Sequence, residues 1–209
     1  MKLPLLLLSG LGLALQAQPI QLGVKGGVVL TDQAIGTTDE SKPYTVGPSI
    51  EFQLPHNLAI ETGFLYKRIG SSYRNVLLGS GAGTANVADT VYSGTSRGHS
   101  FEIPVIGKYY VHRSGPVAPY FGLGFAMRRS WQNIESVVTG PASPNVAPGT
   151  YHYDRWSSWN VGAVGAAGVR IGAGRFKVSP EFRYTRWSSE TTSIFRNRNQ
   201  VEFLVGLSF

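Results

Sequence analysis

The sequence has 209 residues with no cysteine, 26 glycines, 11% aromatic residues and a formal net charge of +7. Lack of cysteine excludes a disulfide framework and a lipid-anchored N-terminal cysteine. Charged residues are only 15% of the chain, against roughly 25% in soluble domains, which suits strands facing lipid better than a surface facing water.

The first element has the build of a secretory signal. Lys2 provides a positive start, residues 3–15 carry no charge, and Ala17 offers a small residue for cleavage. The apolar run is too short to cross a bilayer of roughly 30 Å as a helix. Residues 1–17 are therefore expected to be a signal peptide and 18–209 a single domain, with no other run long enough for a membrane helix. An exported chain of this kind leaves no role for nucleic acid.

Eight strand-like segments follow, at about 20–31, 45–54, 58–73, 97–112, 119–132, 155–171, 176–188 and 197–209. Their connections alternate in length. "PHN", "RSGPVA" and "GAGR" are tight turns, while "NVLLGSGAGTANVADTVYSGTS" and "NIESVVTGPASPNVAPGTYHYD" are long and polar. Short turns at one end and long loops at the other predict an all-β fold: an eight-stranded antiparallel up-and-down transmembrane β-barrel.

Within the strands, apolar and charged residues alternate with the period of two that puts them on opposite faces. Phe101, Ile103, Val105, Tyr109 and Val111 oppose Glu102, Lys108, Tyr110 and His112; Phe176, Val178, Phe182 and Tyr184 oppose Lys177, Ser179, Glu181 and Arg183. A soluble, lipocalin-like barrel would point the apolar face inward. A membrane barrel would point it at lipid and enclose a charge network of Lys25, Glu51, Glu61, Lys67, Glu102, Lys108, Arg128, Arg170, Glu181, Arg183 and Glu202. Pairing would then be required, because an unpaired buried charge costs several kcal/mol.

The aromatic residues favour the membrane reading. Trp131, Trp156, Trp159 and Trp187, with Tyr66, map to the long-loop end as one aromatic belt, and Tyr109, Tyr120, Phe176 and Phe209 map to the other. Gly122, Gly124, Gly162 and Gly168 are expected to leave room for long lumen side chains. The last segment, "QVEFLVGLSF", puts Val201, Phe203, Val205, Leu207 and Phe209 on one side, and it is expected to pair with the first strand so that no edge is left in lipid. Pro48, Pro104 and Pro180 fall inside strands, where bulges or strand ends are expected.

The segments "LGVKGGVVLTD", "FEIPVIGKYYVHRSGPVAPYFGLGFAMR" and "VEFLVGLSF" resemble the PorT-like outer-membrane β-barrel family of Gram-negative bacteria. The resemblance spans essentially the mature chain and implies an outer-membrane location and a small barrel, but no single activity. Phe203, Val205, Leu207 and Phe209 also resemble the terminal signal read by the barrel-insertion machinery, with Leu204 standing where that signal usually has glycine.

Chemistry is sparse. The lumen charges suit a static plug better than a conduit, since eight strands enclose little spare volume. Lys67, Arg68, Arg74, Arg97, Arg128, Arg129, Arg155, Arg186, Arg196 and Arg198 form a basic collar at the long-loop end, able to grip lipopolysaccharide phosphates or to pair locally. His56, His99, His112 and His152 have no metal-ligand spacing, and adjacent His99 and Ser100 point to opposite faces, which argues against a catalytic pair. "GAVGAAGVRIGAG" and "GSGAGT" lack the helix and the lysine that nucleotide loops require. The expectation is a monomeric, non-enzymatic surface protein that needs no cofactor and meets outer-membrane lipid and the insertion machinery. Transport is the alternative, and lipid modification stands behind it.

Overall fold

The computed structural model describes residues 20–31, 43–77, 90–113, 115–139, 147–189 and 198–209. The expected signal peptide and Arg196 lie outside these residues, as do the side chains of Tyr73 and Arg74. The described residues form ten strands: β1 (Ile20–Val29), β2 (Tyr44–Gln53), β3 (Leu58–Gly63), β4 (Leu65–Leu77), β5 (Thr90–Tyr110), β6 (Val117–Thr139), β7 (Gly149–Trp156), β8 (Asn160–Ala173), β9 (Phe176–Trp187) and β10 (Asn199–Ser208). β3 with β4, and β7 with β8, each act as one interrupted stave, so the ring has eight staves. Every neighbour is antiparallel, and β10 closes on β1 through pairs such as Gly26↔Val205 and Val24↔Leu207. Phe209 N–H donates to Leu22 O at 3.0 Å, extending that closure to the last residue.

The first interruption has a simple cause. Phe64 separates β3 from β4 where Pro48 on β2 and Pro104 on β5 flank it, and neither proline has an N–H to give. Their carbonyls are still used: Phe64 N–H donates to Pro48 O, and the Thr62 hydroxyl to Pro104 O at 2.9 Å. The register is the same on both sides of the break, so no residue is inserted and the bulge expected at these prolines is absent. Pro180 behaves likewise, with the β8–β9 ladder resuming at Ile171↔Val178 in unchanged register.

A real bulge lies elsewhere. β6 pairs Trp131 with Trp156 but Arg128 with Asn160, so Ser157, Ser158 and Trp159 oppose only two residues. Ser157 secures it, its N–H donating to Ser130 O at 2.9 Å and its Oγ accepting from Ser130 N–H at 2.9 Å. The extra residue shifts the facing, which leaves both Trp156 and Trp159 exposed and turns Asn160 inward.

The short connections are tight turns. His56 and Asn57 adopt φ of 61° and 62°, and Gly174 adopts 65° in the β8–β9 turn. At the other end the strands run on past the ring. β5 and β6 have 21 and 23 residues, about twice the 9–11 needed to cross a membrane at barrel tilt. The stretches read as long loops therefore begin as paired strand, through Leu77↔Thr90, Val91↔Thr139 and Val138↔Gly149. β4 to β7 form a four-stranded extension above the ring.

Candidate functional site

Inward and outward residues sort as the alternation requires. Outside the ring stands an apolar band that includes Phe121, Leu123, Phe125, Val161, Phe182 and Val205, with Leu123 77% exposed. Inside, all eleven residues of the expected lumen network are buried. Lys25 Nζ bridges Glu61 at 2.5 Å and Glu181 at 2.9 Å, and Lys108 pairs with Glu61 and lies 3.4 Å from Glu181. Arg183 reaches Glu181 at 2.7 Å and Glu61 at 3.4 Å. Towards the short turns, Arg170 pairs with Glu51 and meets the Tyr110 hydroxyl, which itself donates to Glu51 at 2.9 Å. Towards the long loops, Lys67 joins Glu102 to Glu202, the latter at 2.9 Å, and the Thr45 hydroxyl donates to Glu202 at 3.0 Å.

The structure moves several residues from where the sequence suggested. Trp187 is fully buried, so it does not belong to the aromatic belt: its indole N–H donates to Gln200 Oε1 at 2.9 Å and the Arg128 guanidinium lies 4.0 Å over its ring. It falls in phase with Glu181, Arg183 and Thr185 on the inward face of β9, and Gly162 makes the space, since a Cβ there would sit 2.8 Å from the indole. Tyr120 is also inside rather than at the lower belt, with its hydroxyl donating to Glu181 at 2.8 Å and its ring against Gly168. Lys67 and Arg128 are lumen residues and leave the basic collar. Gly124 serves strand approach rather than a lumen side chain, because a Cβ there would strike Val105 O.

The remaining network is a filled core. The cavity beside Lys25, Glu51, Glu61 and Arg170 measures about 20 Å³, room for about one water molecule. Such an interior is held by charge pairing and has no space for a passing solute at that level.

The outer face of the extension is organised in rows set by register. Tyr44, Arg68, His99, Trp131 and Trp156 lie side by side on β2, β4, β5, β6 and β7. One row nearer the apolar band are Tyr66, Phe101 and Arg129, and one row farther out are Arg97, Asn133 and Asp154. The aromatic rings form a continuous stack, with centroids 5.9 Å from Tyr66 to His99, 5.0 Å from His99 to Trp131 and 5.5 Å from Trp131 to Trp156. The Tyr66 hydroxyl hydrogen-bonds His99 Nδ1 at 2.6 Å, which fixes the imidazole in the stack, and Arg129 lies 5.4 Å over Trp156. Trp159 is exposed beside the bulge, and Tyr109, Phe176 and Phe209 are exposed at the short-turn end. Arg97, Arg129, Arg155, Arg186 and Arg198 are exposed collar residues, and Arg186 Nη1 donates to Asn199 Oδ1 at 3.0 Å. Phe203, Val205, Leu207 and Phe209 all lie on the outward side of the closing strand.

Sequence reading missed the extension and the bulge. The second was legible, because Trp156 and Trp159, three apart, cannot share a face in an unbroken strand. The extension was masked by its Gly, Ser and Thr content, which reads as loop.

The fold has known counterparts. It is similar to Neisserial surface protein A at 13% identity and a TM-score of 0.49, covering 90% of this chain and 94% of that one. It is also similar to the attachment invasion locus protein Ail of Yersinia pestis (12%, 0.46, 91% and 95%) and to OprG of Pseudomonas aeruginosa (11%, 0.41, 91% and 94%). Among curated protein sequences no match is found. A family model described as an outer membrane protein beta-barrel domain matches residues 16–186, and the chain belongs to that family.

Proposed function

We propose that this outer-membrane barrel acts as a structural and interaction protein of the cell surface, working through the β4–β7 extension and the segments it carries. The observation that carries the reading is the contrast between a lumen filled by ion pairs and strands that run far beyond the membrane on one side. A filled interior favours neither solute passage nor a catalytic cleft within the lumen, so the protein is proposed to be non-enzymatic; a monomer is the simplest assembly consistent with a ring closed by its own β1 and β10. Its immediate partner is outer-membrane lipid, with lipopolysaccharide phosphates meeting the exposed arginines. Placement in the PorT-like subfamily rests on the "EIP" strand running to Lys108, Tyr109 and Tyr110 and on the "PYFGLG" strand after it. The outward side chains of Phe203, Val205, Leu207 and Phe209 on the closing strand suit recognition by the insertion machinery.

The chain has no cysteine, so single cysteines report topology cleanly. Thr150→Cys on the extension is expected to react with a membrane-impermeant maleimide on intact cells, and Gly115→Cys in a short turn only after lysis. The reverse pattern would overturn the orientation. Planar-bilayer recordings are expected to show no unitary conductance; steady channels would favour the transport reading. A changed lipid A mass spectrum on expression would favour a lipid-modifying enzyme.

A further inference from the structure

The outer face of β4–β7 changes character over three rows, from Tyr66, Phe101 and Arg129, through Arg68 beside the His99–Trp131–Trp156 stack, to a mixed polar cleft that includes Arg97. The cleft is lined by Thr95, Arg97, Asn133, Glu135, His152 and Asp154 and has a volume of about 260 Å³. That lies just under the ~300–1,000 Å³ of sites enclosing a drug-sized ligand, so it suits one or two ring-sized groups. Asn133 Nδ2 donates to Asp154 Oδ1 at 3.0 Å, which holds the amide and carboxylate side by side with acceptor capacity left over. Neighbouring carboxylate and amide groups can pair with the hydroxyl and N-acyl groups of a sugar ring.

Directly beneath the cleft is the stack of His99, Trp131 and Trp156, with Trp156 61% exposed. A rigid aromatic surface offers an apolar platform to the flat face of a sugar at little entropic cost, because its rings are already fixed. Two arginines flank this step. Arg68 is the cross-strand neighbour of His99, and Arg97 lies two residues along β5 on the same face. That diagonal spacing is about 7–8 Å between backbones, within reach of a single phosphate held from both sides. Gly70 pairs with Arg97 and puts no side chain between them. The Arg68 Nε–H is out of solvent and has no acceptor among the described residues. Below the arginines, Tyr66, Phe101 and Phe64 continue as an apolar surface, with Phe64 and Phe101 stacked at 4.9 Å.

We infer that this face is a binding site for a phosphorylated glycolipid of the outer leaflet: acyl chains against Phe64 and Phe101, a phosphate between Arg68 and Arg97, and the sugar on Trp131 and Trp156 with its hydroxyls in the Asn133–Asp154 cleft. The inference rests on the outward orientation proposed above, and it adds a defined ligand class to that reading. It commits to a membrane glycolipid rather than a soluble glycan, because the polar cleft with Arg97, the row of Arg68 and the two tryptophans, and the apolar surface of Phe101 and Phe64 follow one another along the strands.

The test is native mass spectrometry of the intact barrel released from detergent with bisphosphorylated, acylated lipid A as probe. One lipid A per barrel is expected to be retained at least tenfold more strongly than phosphatidylglycerol. The double variant Arg68→Gln/Arg97→Gln is expected to lose that preference, and Asp154→Ala to weaken it severalfold, each barrel remaining heat-modifiable in SDS. Equal retention of phosphatidylglycerol would overturn the inference by reducing the face to a generic anionic-lipid surface, and so would undiminished retention by the arginine variant. Equal binding of deacylated headgroup would overturn the lipid source. The maleimide pattern at Thr150→Cys, on the extension but outside the cleft, separates the two failures: labelled cells with no lipid A preference sink this site alone, whereas a protected Thr150→Cys sinks the orientation it rests on.

Discussion

The same strands cross two solvents, and their side chains differ accordingly. Within the ring, β5 and β6 put Glu102, Lys108 and Arg128 inward and Ile103, Phe121, Leu123 and Phe125 outward. In the extension they carry Thr95, Arg97, Asn133 and Glu135 on the outer face, and Ser96, Gln132, Ile134 and Val138 on the opposite one. The backbone ladder is continuous across the change. Hydrogen bonding therefore cannot be what distinguishes the regions; lipid on one side and a closed interior on the other impose the division in the ring. Where the outer face meets water instead of lipid, polar residues can replace the apolar band, while Ser96, Gln132 and Val138 on the inner face stay buried. Lipid and enclosure raise the cost of error in the ring, and four substitutions measure that difference.

The largest effect is expected inside. Glu181→Ala removes the acceptor shared by Lys25, Arg183 and Tyr120, leaving excess positive charge in a closed interior at a cost of about 3–5 kcal/mol. Urea unfolding from vesicles should report it, and a loss under 1 kcal/mol would mean that the lumen is well hydrated there. Next comes Leu123→Arg, a charge in the middle of the apolar band. It should cost about 2–4 kcal/mol in a bilayer, and much less in detergent, where the head group can reach water.

Gly168→Val tests packing without charge. A Cβ at 168 meets the Tyr120 ring and Pro180 O at 2.6 Å, and the ring is pinned by its bond to Glu181. A loss of about 1–3 kcal/mol is expected, visible as a lower temperature for the mobility shift in SDS. Outside the ring, exposed Thr150→Ala on β7 should stay within about 0.5 kcal/mol. A larger change by the same unfolding assay would show that the extension and the ring unfold as one unit.

Much of the ring was readable because its signal is local. Alternation around Glu102, Lys108, Glu181 and Arg183 assigns each residue a face, and short turns against long connections give the staves their order. Trp187 shows where this fails. Its type argued for an interface, while its phase with Arg183 and Thr185 argued for the lumen, and the phase won because Gly162 and Gln200 accommodate it. The prolines failed in the opposite direction: missing donors opened gaps in the ladder without an inserted residue, because their carbonyls still accept.

What the sequence determined by itself was the period of two, the number of staves and the sign of each face, all set by residues within a few positions of one another. The partners were decided only by ring closure. Lys25 meets Glu61 from 36 positions away and Glu181 from 156, and nothing local says which strands face each other across the lumen. The same holds for the outer rows, where Tyr66, His99, Trp131 and Trp156 stack because four strands share one register. Composition chose the solvent for each face, and the stagger of the closed sheet chose the neighbours.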